Sequence, residues 1–273
     1  MSFFSSCYRS EIPGRPIAAA TLALAAVCGS GPVSAAEAAD PGASLPRSTV
    51  TTGADIADAG NWEIELGVQR LGGNNADRRS SVSTVFKYSL DDRFALIVGG
   101  EPYVATAPTG APRFSGAGDT VLTLKYRAPD VPDGQALGLE ASVKFPTAAG
   151  TGGTGRRDYG LIGIYGTELP HGFHLDTNLG LTYLGARSAG QGRYQTSWSA
   201  AVSHLAGDAW TVAAELSGTR QPGVASTTQA LVAASYAASK RVTLDAGAAA
   251  GLNRATPRWT IFAGMTILIG AGN

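Results

Sequence analysis

In the stretch GDTVLTLKYRA, residues 118–128, Asp119, Thr123, Lys125 and Arg127 sit at alternate positions, with Leu122, Leu124 and Tyr126 between them. Such alternation puts acids and bases on one face of an extended chain and apolar side chains on the other. The same parity gathers Glu63, Glu65, Lys87, Glu101, Glu140, Lys144, Asp176, Glu215 and Asp245 onto the polar faces of other stretches, together with Gln69, Glu168, Asn178 and Gln195. Carboxylates and cations held on one face have two uses. They pair across neighbouring strands, or they line a wet passage whose surplus of acids disfavours anions.

A second set of charges falls between the alternating stretches or at their ends: Arg78, Arg79, Arg113, Arg156, Arg157, Arg187, Arg193, Arg220, Arg254 and Arg258, accompanied by Asp77 and Asp158. Guanidinium groups grip phosphate through paired donors. This set is expected to anchor phosphorylated lipid or to steer anionic solutes toward a mouth.

Other spacings point to chemistry that the context declines. GTGGTG, residues 150–155, fits the GxGxxG dinucleotide pattern, but RRDYGLIGIYG follows it. That is an alternating strand, not a helix whose N-terminus would hold a pyrophosphate. His171, His174 and His204 raise the idea of a lipid hydrolase or a metal site, yet all three stand beside short connections at one end of the strands. They read as polar turn residues. Cys7 and Cys28 both lie in the first 28 residues, leaving the remaining chain without a disulfide, a thiolate metal site or a cysteine nucleophile. No catalytic residue, metal site or cofactor is expected. With 21 basic and 21 acidic side chains the formal charge is zero, so nothing marks a nucleic-acid partner.

The elements that must position these residues are strands. Period two runs almost unbroken from residue 61, and twelve strands are expected at 61–72, 80–90, 93–104, 118–128, 136–146, 158–169, 172–184, 193–205, 208–218, 226–237, 240–251 and 257–270. Soluble strands average about 5–6 residues, whereas a tilted strand needs roughly 9–11 to cross a bilayer. The joints alternate as well. Four of five on one side are tight, such as Asp91-Asp92 and Pro170-His171, and those on the other are long and glycine-rich. Aromatic residues gather near both strand ends: Trp62, Tyr88, Phe94, Tyr126, Phe173, Trp210 and Tyr236 by the short turns, Phe145, Tyr159, Tyr183, Tyr194 and Trp259 by the long loops. Two aromatic bands, short turns and long loops are the pattern of an outer-membrane barrel. The expected fold is therefore all-β: a transmembrane antiparallel β-barrel of about twelve strands, closed because an open edge would strand backbone polar groups in hydrocarbon. Its polar faces would enclose a lumen.

The N-terminus reads as an export signal over 1–35. Arg9 and Arg15 precede the apolar run IAAATLALAAV, and small residues at 33–35 or 36–38 offer cleavage. Residues 36–60 lack a sustained period and form a flexible periplasmic lead-in able to fold back into the lumen. The barrel takes 61–273.

GAGDTVLTLKYRA followed by LEASVKFPTAAGTG resembles the G-x-G-D…K-Y and K-x-P-T-x-G signatures of the family described as MetA-pathway-of-phenol-degradation proteins. DAGNWEIELG is similar to that family's opening strand and DDRFALIVGGEPY to its third. The resemblance implies an outer-membrane barrel, labelled a transporter, in some cases encoded with pathways for aromatic compounds. The expected function is a passive outer-membrane channel for small solutes, aromatic ones among them. The alternatives are a non-conducting barrel that binds lipopolysaccharide or other anionic partners through its arginine-rich loops, and, third, a lipid-modifying barrel enzyme.

Overall fold

The computed structural model describes residues 49–73, 78–108, 112–148 and 152–270. The expected export signal, residues 36–48 of the lead-in, and Asp77 lie outside them.

Alternation becomes β1 (Trp62–Gly72), β2 (Arg78–Ser89), β3 (Phe94–Ala107), β4 (Phe114–Gly116), β5 (Thr120–Arg127), β6 (Gln135–Phe145), β7 (Asp158–Leu169), β8 (Phe173–Tyr183), β9 (Tyr194–Leu205), β10 (Trp210–Arg220), β11 (Thr227–Ser239), β12 (Val242–Gly251) and β13 (Trp259–Ile269). Neighbours in sequence pair antiparallel, and β1 pairs with both β2 and β13, so the sheet closes on itself. Twelve strands make the wall. The exception is β4, three residues long, which pairs with the far end of β3 while β5 takes its near end. Sequence reading assigned this segment to a single long loop. The reason lies in β3: Val82 pairs with Tyr103 and Thr84 with Gly100, so β3 carries an extra residue beside Pro102. A bulge breaks the period locally, and β3 runs on to Ala107 beyond it.

Side chains are sorted in the reverse of a water-soluble protein. Large apolar residues cover the outside, with Leu179 73% exposed and Val68 56% exposed, while Glu63, Glu65 and Glu215 on the inner face are each under 5% exposed. Such an exterior is stable against hydrocarbon, which is why the sheet must close. Rings mark the two ends of this apolar band. Trp62–Tyr88, Phe94–Tyr126 and Trp210–Tyr236 pair across strands at 4.7, 5.0 and 4.9 Å by the short turns. Tyr183 contacts Tyr159 at 6.3 Å and Tyr194 at 5.7 Å by the long loops. Turn chemistry closes the short connections: the Asp91 carboxylate accepts the N–H groups of Arg93 and Phe94 at 2.8 and 2.7 Å.

Leu179 lies mid-strand on the outer wall of β8, between Gly163 and Trp198. Leu179→Arg is expected to cost roughly 2–4 kcal/mol, the depth-dependent penalty of a cation at the midplane. Denaturant titration of the barrel refolded in lipid vesicles measures it. A change within a few tenths of a kcal/mol would mean that this face meets water.

Candidate functional site: the barrel interior

The inner face carries charge in register. Glu63 and Lys87 are cross-strand partners, and Lys87 Nζ lies 2.7 Å from Glu65 and 3.4 Å from Glu63. Lys125 faces Glu140 at 3.9 Å. Nearer the long loops, Lys144 Nζ stands 2.8 Å from Asp158 and 3.1 Å from Asp119, and Arg79 pairs with Glu101. His174 bridges Glu168 (2.8 Å) and Asp176 (3.3 Å) near the short-turn end. Asp245 is buried on the inner face of β12. Antiparallel register makes this possible, because residues directly opposite share a face and their Cβ atoms lie about 5 Å apart.

Residues 51–55 cross this interior. The Thr51 N–H and hydroxyl both donate to Glu215 Oε2, at 2.8 and 3.0 Å. Thr52 and Asn178 exchange two bonds: the Thr52 N–H donates to Asn178 Oδ1 (2.7 Å) and Asn178 Nδ2 donates to the Thr52 carbonyl (2.9 Å). The Thr52 hydroxyl reaches Glu140 at 3.3 Å, Lys125 Nζ donates to the Gly53 carbonyl at 2.5 Å, and Asp55 lies 3.8 Å from Arg127. Ala54 is 2% exposed, and a Cβ on Gly138 of β6 would come within 3.2 Å of its methyl group. Side chains of β5, β6, β8 and β10 thus hold one short segment. Sequence reading placed this segment in a flexible lead-in able to fold back into the lumen and put Lys125, Arg127, Glu140, Asn178 and Glu215 on the polar faces, but it did not single out residues 51–55 or match them to these partners. The segment has neither strand nor helix period, and its partners lie up to 164 positions away.

The rest of the interior has a different character. On the inner faces of β9 to β13 stand small residues such as Ser199, Ala201, Ser217, Ala233, Gly247 and Ala249. Phe262 leans across them, since a Cβ on Gly247 would fall 2.3 Å from its ring. Glu215 and Asp245 are the acids in this sector. The lumen is therefore two-sided: ionised from β1 to β8, small and largely neutral from β9 to β13. The small residues stand at inward parity in the sequence, but alternation of Ala, Ser and Gly with other small residues barely distinguishes the two faces of such strands.

The segments quoted as family signatures meet at one upper corner. Thr147 Oγ1 accepts the Thr120 N–H at 2.9 Å, and the Ala148 N–H donates to Asp119 at 3.1 Å. Lys144 also donates to Thr154 at 2.8 Å. A Cβ on Gly153 would lie 2.4 Å from the Asp119 carboxylate, and one on Gly152 would lie 2.9 Å from the Phe114 ring. Gly152 and Gly153 thus let a loop lie close on the strand ends.

The arginines distribute unevenly. Arg79 turns inward, whereas Arg78 beside it points outward. Arg157 and Arg193 lie over the Phe145 and Tyr183 rings at 5.7 Å, and Arg187 donates to the Gln191 carbonyl. Arg113, Arg156, Arg220, Arg254 and Arg258 are exposed at the long-loop end. His204 stacks on Phe173 at 4.6 Å on the outer wall, and His171 sits in a turn with φ of 65°.

Comparison with known proteins matches this architecture. The model of the family described as "Putative MetA-pathway of phenol degradation" matches residues 38–269. The COG4313 outer membrane channel from Pseudomonas putida F1 superposes with a TM-score of 0.62 at 16% identity, over 79% of this chain and 98% of that one. KdgM porin gives 0.53 at 9% identity, over 75% and 98%. NanC porin gives 0.52 at 8%, over 76% and 98%. At such identities the likeness concerns the fold. No curated protein shows significant sequence similarity to the chain.

Lys144 neutralises two buried carboxylates at once. Lys144→Met is expected to destabilise the barrel by roughly 3–5 kcal/mol, the cost of leaving buried charge unpaired. Adding Asp119→Asn and Asp158→Asn should recover most of that loss in the same denaturant titration. Equal stability of the single variant and the parent would show that the cluster is solvated.

Proposed function

The chain belongs to this MetA-pathway-of-phenol-degradation family, and from that premise we propose that it is a passive outer-membrane channel for small solutes, with aromatic compounds as the solute class. The observation that carries the reading is the two-sided interior. A planar ring slides along small side chains and Phe262, while a hydroxyl group keeps hydrogen-bond partners on the ionised wall. The inner face has more carboxylates than cations, which favours neutral or cationic solutes over anions. The COG4313 protein is an outer membrane channel and KdgM and NanC are porins, a likeness that supports transport over catalysis.

Residues 51–55 act as a plug in this reading. Their hold is a handful of hydrogen bonds and one long ion pair: the two bonds with Asn178 are worth about 0.5–1.5 kcal/mol net each, and those with Glu215, Glu140 and Lys125 about 1.5–3 kcal/mol each, so withdrawal breaks a local set of contacts and leaves the strand ladder of the wall intact. A second reading, a barrel sealed by its own charge pairs, is favoured by the same crossing segment if it never leaves. Liposome swelling and planar-bilayer recording, on the parent and on a variant lacking residues 49–57, separate the two. The deletion is expected to raise conductance several-fold, and a phenyl glucoside should enter faster than a disaccharide of similar size or a hydroxybenzoate. Unchanged conductance rejects the plug, and no uptake by either form rejects the channel.

Location in the outer membrane, reached through a cleaved signal, belongs to the same proposal. Protein recovered from outer-membrane fractions should begin after Ala35 or Ala38 by intact mass. A full-length mass, or recovery in a detergent-free soluble extract, would count against export of this kind.

A further inference from the structure

Arg70 stands on the outer wall, not in the lumen. It pairs in register with Ser80 of β2 and with Ile261 of β13, both on the same outward face. Arg78, two positions from Ser80, pairs with Ala107, and Arg113 comes just before β4, whose Ser115 pairs with Ala105. All three arginines are exposed. They border two adjoining grooves of about 500 and 410 Å³ that have Arg70 and Arg78 in common. Trp259 and Ile261 wall the first, and Tyr103 walls the second over a floor of small residues.

Depth and charge together specify an occupant. Arg70 is eight residues along β1 from Trp62 in the short-turn aromatic band. At ~3.4 Å per residue and a tilt of ~35–45° that is about 20 Å along the membrane normal, within an apolar band about 25 Å tall. It lies where hydrocarbon gives way to headgroups. Arg79 and Arg127 have carboxylate partners in Glu101 and Asp55. Among the described residues, Arg70, Arg78 and Arg113 have none. Three uncompensated guanidinium groups, Arg70 at that depth and Arg78 and Arg113 nearer the long loops, call for anions from the lipid itself. They run from β1 through β2 and across β3 to the start of β4, at about 4.8 Å per strand, wider than a single phosphate.

We propose that this wall groove binds one phosphorylated glycolipid of the outer leaflet. Its phosphates lie against Arg70, Arg78 and Arg113, and its acyl chains descend past Tyr103, Trp259 and Ile261. The site rests on the outer-membrane reading but not on conduction.

Native mass spectrometry of the full mature chain in detergent, titrated with diphosphoryl lipid A, tests it. The parent is expected to retain one lipid A molecule, and R70Q/R78Q/R113Q to bind at least tenfold more weakly. R241Q, at the opposite end of the barrel, should bind as the parent does. The triple variant's fold is checked by circular dichroism and heat-dependent gel mobility. Dephosphorylated lipid A offered to the unsubstituted chain asks the same question without substitution, and should be retained at least tenfold less. Inorganic phosphate at millimolar concentration should not displace the lipid; full displacement would make the site one for free anions. Equal retention by parent and triple variant, or equal retention of the dephosphorylated lipid, overturns the proposal. A conducting barrel that ignores lipid A overturns this site alone. A chain absent from the outer membrane removes the reading beneath it.

Discussion

A backbone N–H or C=O without a partner in hydrocarbon costs several kcal/mol, and this penalty organises the whole molecule. It forces β1 onto β13 and leaves no edge. Closure divides space into an outside that must be apolar and an inside that need not be. Once the wall is a closed sheet, every second side chain is committed to the interior. Glu63, Glu65, Lys87 and Lys144 are there because the outer wall excludes them.

Confinement then sets the electrostatics. Charges crowded inside a narrow barrel are partly removed from water, so they are stable only when paired or hydrogen-bonded. The ionised sector answers in two ways. Some groups pair across strands, as Lys144 does with Asp158. Others bind backbone, as Lys125 does at Gly53 and Glu215 at Thr51. The second way is what lets a short segment without secondary structure stay inside: its peptide groups find partners on the wall. The sector from β9 to β13 offers few such groups, Glu215 and Asp245 being its buried acids.

The upper corner shows how local motifs and long-range packing meet. Asp119 precedes β5 and Lys144 closes β6, so each is set by its own strand, but the loop that Gly152 and Gly153 allow brings Thr154 and Ala148 onto them. A glycine pattern suggestive of nucleotide binding serves close approach of backbone to a carboxylate. Chemistry followed from what the loop touches.

The sequence by itself determined strand positions, the outward and inward parity of nearly every residue, the aromatic bands and the alternation of short and long joints. These are local properties with period two, and a run of a dozen residues such as β5 with its flanks displays them. Even the outward position of Arg70 follows from its even spacing to Trp62, although its meaning does not. Only the tertiary structure decided which charges meet, that Arg79 points in beside a Glu101 it finds across a bulge, that β4 exists, and that residues 51–55 lie inside. Those facts depend on contacts between segments up to 164 positions apart, and the energy of such contacts leaves no periodic trace in the chain that makes them.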